Sequence, residues 1–281
     1  MKTTEILIKE AIELLKKYEP ADGYYLAFSG GKDSIVCYDL LVKSGVKFDA
    51  HYNSTTIDPP ELLRYMKANY PGVIWHYPAF KGKPTNFYKL IKSKGLPSRC
   101  FRWCCESLKE GGGFGRFMID GVRAAESVSR SKRDKLEYFL NKYFKKKYEN
   151  QVIDEDTLSK LLAKKQAKKI IHIIFEWSEN DVWCYIKLNN MKYCELYDQG
   201  YDRIGCICCP MAKPRERKAH SEQFVVYKNN VLKSIEFLMV DKGKFTEFED
   251  AEEAFDWWIS GISIKKYLGR KQQTKINFEW Y

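Results

Sequence analysis

Ser29-Gly30-Gly31-Lys32-Asp33-Ser34 falls between a short apolar run, Tyr24–Phe28, and a segment with Ile35, Val36, Tyr38, Leu40, Leu41 and Val42 at helical spacing. Two adjacent glycines let a backbone turn sharply and come close to an anion. A helix starting there offers unpaired N–H groups and the positive end of its dipole. Ser29 and Ser34 add hydroxyl donors and Lys32 a mobile cation, while Asp33 is placed to cap the helix or to help hold a magnesium ion. This is the chemistry of a phosphate-binding turn. It is not a Walker A loop, because the G-x-x-x-x-G-K-[ST] spacing is absent.

The nine cysteines carry a second kind of chemistry. Cys37, Cys184 and Cys194 stand alone in segments that read as packed structure, where a thiol is a small buried hydrophobe. The other six form two tight groups: Cys100, Cys104 and Cys105, then Cys206, Cys208 and Cys209. An odd total clustered in this way points to metal binding or catalysis rather than to disulfide bridges. Arg123 and Arg130 lie just past the apolar run Arg116–Val122, where a substrate phosphate would be met. The four histidines (51, 76, 172 and 220) show no metal-ligand spacing. His51 and His172 fall in apparent strands, at the core or its rim.

The elements that must hold these groups follow from hydrophobic periodicity. With 281 residues, 44% hydrophobic and 9 prolines, the chain is neither disordered nor fibrous and can bury a sizeable core. No apolar run approaches the ~20 residues of a membrane-spanning helix. The first residues lack the pattern of a secretory leader, which leads us to expect a soluble, cytoplasmic protein with no membrane partner. Helices are expected over residues 3–18, 60–69 and 86–94, and strands over Tyr24–Phe28, Phe48–Tyr52, Val73–Tyr77, Arg116–Val122 and Ile170–Phe175. This alternation predicts an α/β fold with a doubly wound parallel sheet, whose ligands sit at the carboxyl ends of the strands. Residues 131–169 hold 12 Lys or Arg against 6 Asp or Glu. Leu136, Phe139, Leu140, Tyr143 and Phe144 there suggest an amphipathic helix, and Leu158, Leu161 and Leu162 another. We therefore expect a nucleotide-binding domain over residues 1–130 and 170–215, a basic helical insertion over 131–169, and a helical region over 216–281.

The chain resembles the PP-loop ATP pyrophosphatases, and within them the phosphoadenylyl-sulfate reductase family. The signature S-G-G-x-D-S matches at Ser29–Ser34. Gly121–Arg130 is similar to the family's G-x-R-x-x-E-S-x-x-R, and Phe175–Trp183 and Leu196–Cys206 continue the likeness in order. The resemblance implies an adenine nucleotide alpha hydrolase-like fold. It also implies a loop that cradles the pyrophosphate of ATP or the corresponding part of an adenylyl sulfate. Its nucleotide-binding set is Ser29, Gly30, Gly31, Lys32, Asp33, Ser34, Asn53, Thr55, Arg123 and Arg130, with the adenosine near Asn53–Thr56. Adenylyl-sulfate reductases hold a 4Fe–4S cluster through a Cys-Cys pair and a distant C-x-x-C. That implies Cys104, Cys105, Cys206 and Cys209 here, although four thiolates would also suit zinc. Cys100 and Cys208 are spare thiols, able to replace a ligand or to relay sulfur.

The reductases carry a catalytic cysteine near their C-terminus, and no cysteine follows Cys209 here. The chain then resembles the DNA phosphorothioation proteins of the DndC type and the tRNA thiolases, in which ATP adenylates an oxygen that a sulfur species displaces. That likeness implies catalytic roles for Lys32, Asp33, Arg123 and Cys208, a DNA or tRNA acceptor, and a cysteine desulfurase or another sulfur donor. The basic segment, its aromatics, and the basic tail (Lys265, Lys266, Arg270, Lys271, Lys275) suit a polyanionic partner. Two other readings stand beside this one: a true adenylyl-sulfate or phosphoadenylyl-sulfate reductase, and a non-catalytic nucleotide-binding partner module.

Overall fold

Thr3 accepts a hydrogen bond from Ile6 N and starts the first helix, α1 (Thr4–Lys17), whose apolar stripe buries Leu7, Ala11 and Leu15. The computed structural model describes residues 3–149 and 151–270, so Lys271 and Lys275 of the basic tail lie outside the described residues. Along the chain α1 is followed by β1 (Tyr24–Ala27), α2 (Lys32–Ser44), β2 (Phe48–Asn53), α3 (Pro60–Asn69) and β3 (Ile74–His76). A short antiparallel hairpin, β4 (Ala79–Phe80) and β5 (Lys83–Pro84), precedes α4 (Phe87–Lys94) and α5 (Trp103–Leu108). Then come β6 (Phe117–Ile119), α6 (Val128–Ser131), β7 (Leu136–Leu140), α7 (Lys142–Lys147), α8 (Glu155–Ala163), β8 (Ala167–Ile171) and α9 (Glu179–Leu188). The last three helices are α10 (Pro214–Gln223), α11 (Val225–Val240) and α12 (Ala251–Ser260). Among the described residues no helix is long and apolar enough to cross a membrane.

The chain divides into two units, the first comprising residues 1–53, 60–76 and 111–204, the second residues 54–59, 77–110 and 205–281. The first unit is an α/β layer structure around a six-stranded sheet in the order β3-β2-β1-β6-β8-β7. Every pairing in this sheet is parallel except that of β7 with β8. The expected α/β class with a mostly parallel sheet is what is found. Strand side chains alternate between two apolar clusters, as a pleat with both faces covered requires. Tyr24, Leu26, Phe117, Ile119 and Ile171 join α1, α2 and α9 in one cluster. Tyr25, Met118 and Ile170 form the other.

Two expectations are corrected. Leu136–Leu140 is not part of a helix but an antiparallel edge strand, with Leu136 opposite Ile171 and Leu140 opposite Ala167. The apolar spacing there fits either period, and the unpaired edge of β8 decides for the strand. Asn141 then caps α7 by accepting from Phe144 N, so only the end of the expected helix forms. The last strand runs Ala167–Ile171 rather than Ile170–Phe175. His172 turns inward, fully buried, with Nδ1 2.5 Å from Asp120 and Nε2 2.9 Å from Glu137.

The second unit is mainly helical, and its core gathers Phe87, Trp103, Ile207, Tyr227, Val231 and Phe255. Trp258 donates its indole N–H to Pro97 O at 2.7 Å, and the buried Arg217 donates to Trp258 O at 3.1 Å.

Candidate nucleotide-phosphate site and thiol cluster

The phosphate turn lies in the first unit, at the carboxyl end of β1. Gly30 has φ +73, and a Cβ there would come within 2.5 Å of Met66 Sδ, so both its backbone conformation and its packing require glycine. Ser34 holds the turn closed: its Oγ donates to Gly31 O at 2.9 Å and accepts from Ser29 N at 3.2 Å. Gly31 is the N-cap of α2 with no side-chain cap bond. The expectation that Asp33 caps this helix is therefore corrected, because Asp33 Oδ1 accepts Arg123 Nε at 2.6 Å instead.

Lys32 is not the mobile cation expected. It is 3% exposed, its Nζ donating to Asp202 O at 2.8 Å and lying 3.1 Å from Glu179 Oε1, over the Tyr197 ring. Its own amide donates to the Tyr197 hydroxyl at 2.9 Å. Arg123, also 3% exposed, adds Nη2 to Glu179 Oε2 at 2.5 Å and Nη1 to Trp177 O. Burial favours the protonated form of Glu179, yet Lys32 and then Arg123 outweigh it and hold the carboxyl below its usual range. Glu126 accepts from Arg123 N at 3.0 Å and pairs with Arg130. Burial, and then the like charge of Arg203, lower the Arg130 guanidinium. Asn53, at the end of β2, hydrogen-bonds the Tyr25 hydroxyl.

Glu179, Tyr197 and Asp202 are the residues that reading the sequence missed. All three fall in the family-like blocks Phe175–Trp183 and Leu196–Cys206. Glu179, however, reads there only as an acid in the first turn of a helix capped by Ser178, and Ser178 does form a capping box with Asp181.

The cysteine groups and Thr55 lie in the second unit. Thr55 is committed: its amide and hydroxyl donate to Asp58 Oδ2 at 3.1 and 2.6 Å, and its hydroxyl accepts from the Cys206 thiol at 3.6 Å. Cys104 donates to Cys105, which favours the Cys105 thiolate, and Arg102 adds a hydrogen bond to Cys105 Sγ at 3.2 Å. Cys206 and Cys209 act electrostatically on Cys104, so two short segments deliver four thiols to one locality. The charge of Cys206, followed by that of Asp58, raises the Lys109 ammonium, which hydrogen-bonds Cys206. Four soft donors flanked by Arg102 and Lys109 fit an anionic thiolate–metal group in chemistry. Among the described residues, no three His, Cys, Asp or Glu side chains are arranged as a metal-binding group.

Cys208 is not placed as the accessible thiol that a catalytic role requires. It is fully buried in the second unit's core, with φ +50, its Sγ donating to Arg217 O at 3.3 Å, and burial pushes the thiol up to about 12. The proposed relay role is corrected on that ground: the sulfur has no access and little thiolate. Cys100, by contrast, is exposed.

A mostly parallel sheet with S-G-G-x-D-S at the turn after its first strand defines a PP-loop nucleotide-binding protein. The chain belongs to the phosphoadenosine phosphosulfate reductase domain family, which it matches over residues 23–212. It is 32% identical over 220 residues to an uncharacterized protein of Methanocaldococcus jannaschii, covering 74% of this chain and 47% of that one. It is 28% identical over 190 residues to an adenosine 5'-phosphosulfate reductase of Oceanobacillus iheyensis, covering 65% of this chain and 69% of that one. The chain thus spans about half the length of the first of these relatives. Among solved structures, a phosphoadenylyl-sulfate reductase from Candida auris aligns with a TM-score of 0.45 and 18% identity, over 72% of this chain and 93% of that one.

Proposed function

We propose that the chain binds an adenine nucleotide, with ATP as substrate and Mg2+ as its counter-ion, and adenylates an acceptor, a nucleic acid, for sulfur transfer. The acceptor oxygen attacks the α-phosphorus, the α–β phosphoanhydride bond breaks, and pyrophosphate leaves. The observation that carries this reading is the set of cations at the phosphate turn. Lys32 and Arg123 share Glu179, and Arg130 feels the charges of both Arg203 and Asp33. Groups held in this way are pre-set for the charge that develops on a departing pyrophosphate, and they need no reorganisation at that moment. Ser29, Gly30, Gly31 and Ser34 shape the turn that receives it, and Asn53 lies at the end of the adjacent strand.

Cys104, Cys105, Cys206 and Cys209 would hold a 4Fe–4S cluster, with zinc as the alternative occupant. A cluster bound there would supply electrons or a labile sulfur. Arg102 and Lys109 offset the negative charge of the thiolates. A cysteine desulfurase is the class of donor such a site would draw on.

The reductase reading is favoured by one observation, the relatives named adenosine 5'-phosphosulfate reductase. In that reading the exposed Cys100, not the buried Cys208, is the thiol with access. Anaerobically purified protein, assayed with ATP and with adenylyl sulfate in parallel, separates the two. AMP and pyrophosphate from ATP, stimulated by nucleic acid, support acceptor adenylation. Sulfite from adenylyl sulfate without use of ATP overturns it.

A further inference from the structure

We infer that the sheet edge formed by β7 and α7 is a cradle for single-stranded nucleic acid. This rests on the reading above that the acceptor is a nucleic acid, and it names the surface that would hold it. A cleft of about 490 Å3 lies here, lined by the exposed Tyr138, by Phe139 and Tyr148, and by Lys142, Lys145 and Lys146, whose three charges outnumber that of the one acid, Glu149. The geometry has a simple origin. β7 is the outermost strand of the sheet, and Asn141 caps α7 directly after it, folding the helix back beside the strand. Positions 142, 145 and 146 are three and four apart, so their lysines share one face of that helix.

Lysines on a helix beside an edge strand have a plainer explanation, since charge there deters edge-to-edge pairing. Such a guard does not call for exposed rings. Here Tyr138 is 44% exposed and Tyr143, on the same helix as the lysines, is 69% exposed. Exposed rings interleaved with lysines are instead what an unpaired strand needs: a backbone tracked by ammonium groups and bases stacked on aromatic faces. A duplex keeps its bases stacked on one another, so the cradle selects single strands.

The full chain is titrated against a short fluorescein-labelled oligonucleotide of mixed sequence, as DNA and as RNA, by fluorescence anisotropy across a range of salt. The double variant Lys145→Ala/Lys146→Ala is expected to weaken binding roughly tenfold at low salt and to reduce the log–log salt slope by about 1.4. Tyr138→Ala is expected to weaken binding about fivefold with the slope unchanged, because a stacking contact and not a charge is lost. Circular dichroism melts check that both variants fold. Folded variants that bind like the wild type overturn the proposal, and so does a duplex that competes as well as a single strand. Displacement of the oligonucleotide by polyglutamate at equal charge concentration also overturns it, in favour of an acidic protein partner. Pyrophosphate release by the wild type is measured separately. Its absence defeats the adenylation reading, whereas intact turnover with unaltered binding in the variants defeats only the cradle.

Discussion

Arg123 and Asp33, ninety residues apart in the chain, meet through a 2.6 Å Nε–Oδ1 hydrogen bond in the first turn of α2. The same guanidinium reaches Glu179, and Glu179 reaches Lys32, so four charged groups from three segments form one connected set at the phosphate turn. Opposite charges alternate through it, which is why two cations can be almost fully buried.

Arg123→Ala removes the centre of this set and leaves Asp33, itself mostly buried, without its cation. We expect a loss of about 2–3 kcal/mol of stability, below the figure for a fully buried pair because Glu179 is half exposed. Urea denaturation measures it. Pyrophosphate release should fall at least a hundredfold, in kcat rather than in KM alone.

Glu179→Gln tests the acid side of the network. The Glu179 carboxyl is lowered from 4.5 in the folded protein, so its contribution to stability is present above that pH and is lost as the pH falls through the folded value. The wild type should therefore lose stability below about pH 4.5, and the variant should lose less over the same range. Thermal melts between neutral pH and pH 3 decide this; parallel curves for the two proteins would count against it. The variant should also bind nucleotide a few-fold more tightly, because Lys32 and Arg123 no longer share a competing anion.

Gly30→Ala places a methyl group against Met66 and Leu62 and forces a left-handed conformation on an L-residue. A destabilisation of about 1–3 kcal/mol is expected, with nucleotide affinity reduced at least tenfold. Trimming Met66 to Ala in the same chain should restore part of the stability but not the affinity, because the backbone strain at the turn remains.

Cys206→Ala and Cys208→Ala separate a ligand from a packed thiol. Iron and acid-labile sulfide per chain, measured after anaerobic purification, should collapse in the first and remain at the wild-type level in the second. Cys208→Ala should instead cost about 1 kcal/mol in a melt, the transfer and cavity term of a small buried group. Zinc at one per chain in the wild type, without iron, would assign the four thiols to the other metal.

The phosphate turn was legible because it is local. Strand, glycines, hydroxyls and helix are contiguous, and Ser29–Ser34 need no distant partner to announce an anion site. The pairing of Cys104 and Cys105 with Cys206 and Cys209 was legible only through family likeness, since nothing in their spacing brings residues a hundred positions apart together. Leu136–Leu140 was misread for a physical reason: its apolar residues satisfy helical and strand periods alike, and the free edge of β8, which no local window contains, settled the matter.

What the sequence determined by itself is therefore the alternation of strands and helices, the parallel sheet, and the turn where an anion meets backbone N–H groups. The alternation and the turn depend on interactions within a few residues of one another, and the parallel sheet is what alternating strands and helices imply. Tertiary structure alone decided that Lys32 is pinned rather than mobile, that Asp33 serves Arg123 instead of the helix cap, that Glu179 joins both cations, and that Cys208 is core. Each of those outcomes depends on which charge or cavity a side chain meets after the chain has folded, and a buried charge or thiol takes its chemistry from that surrounding.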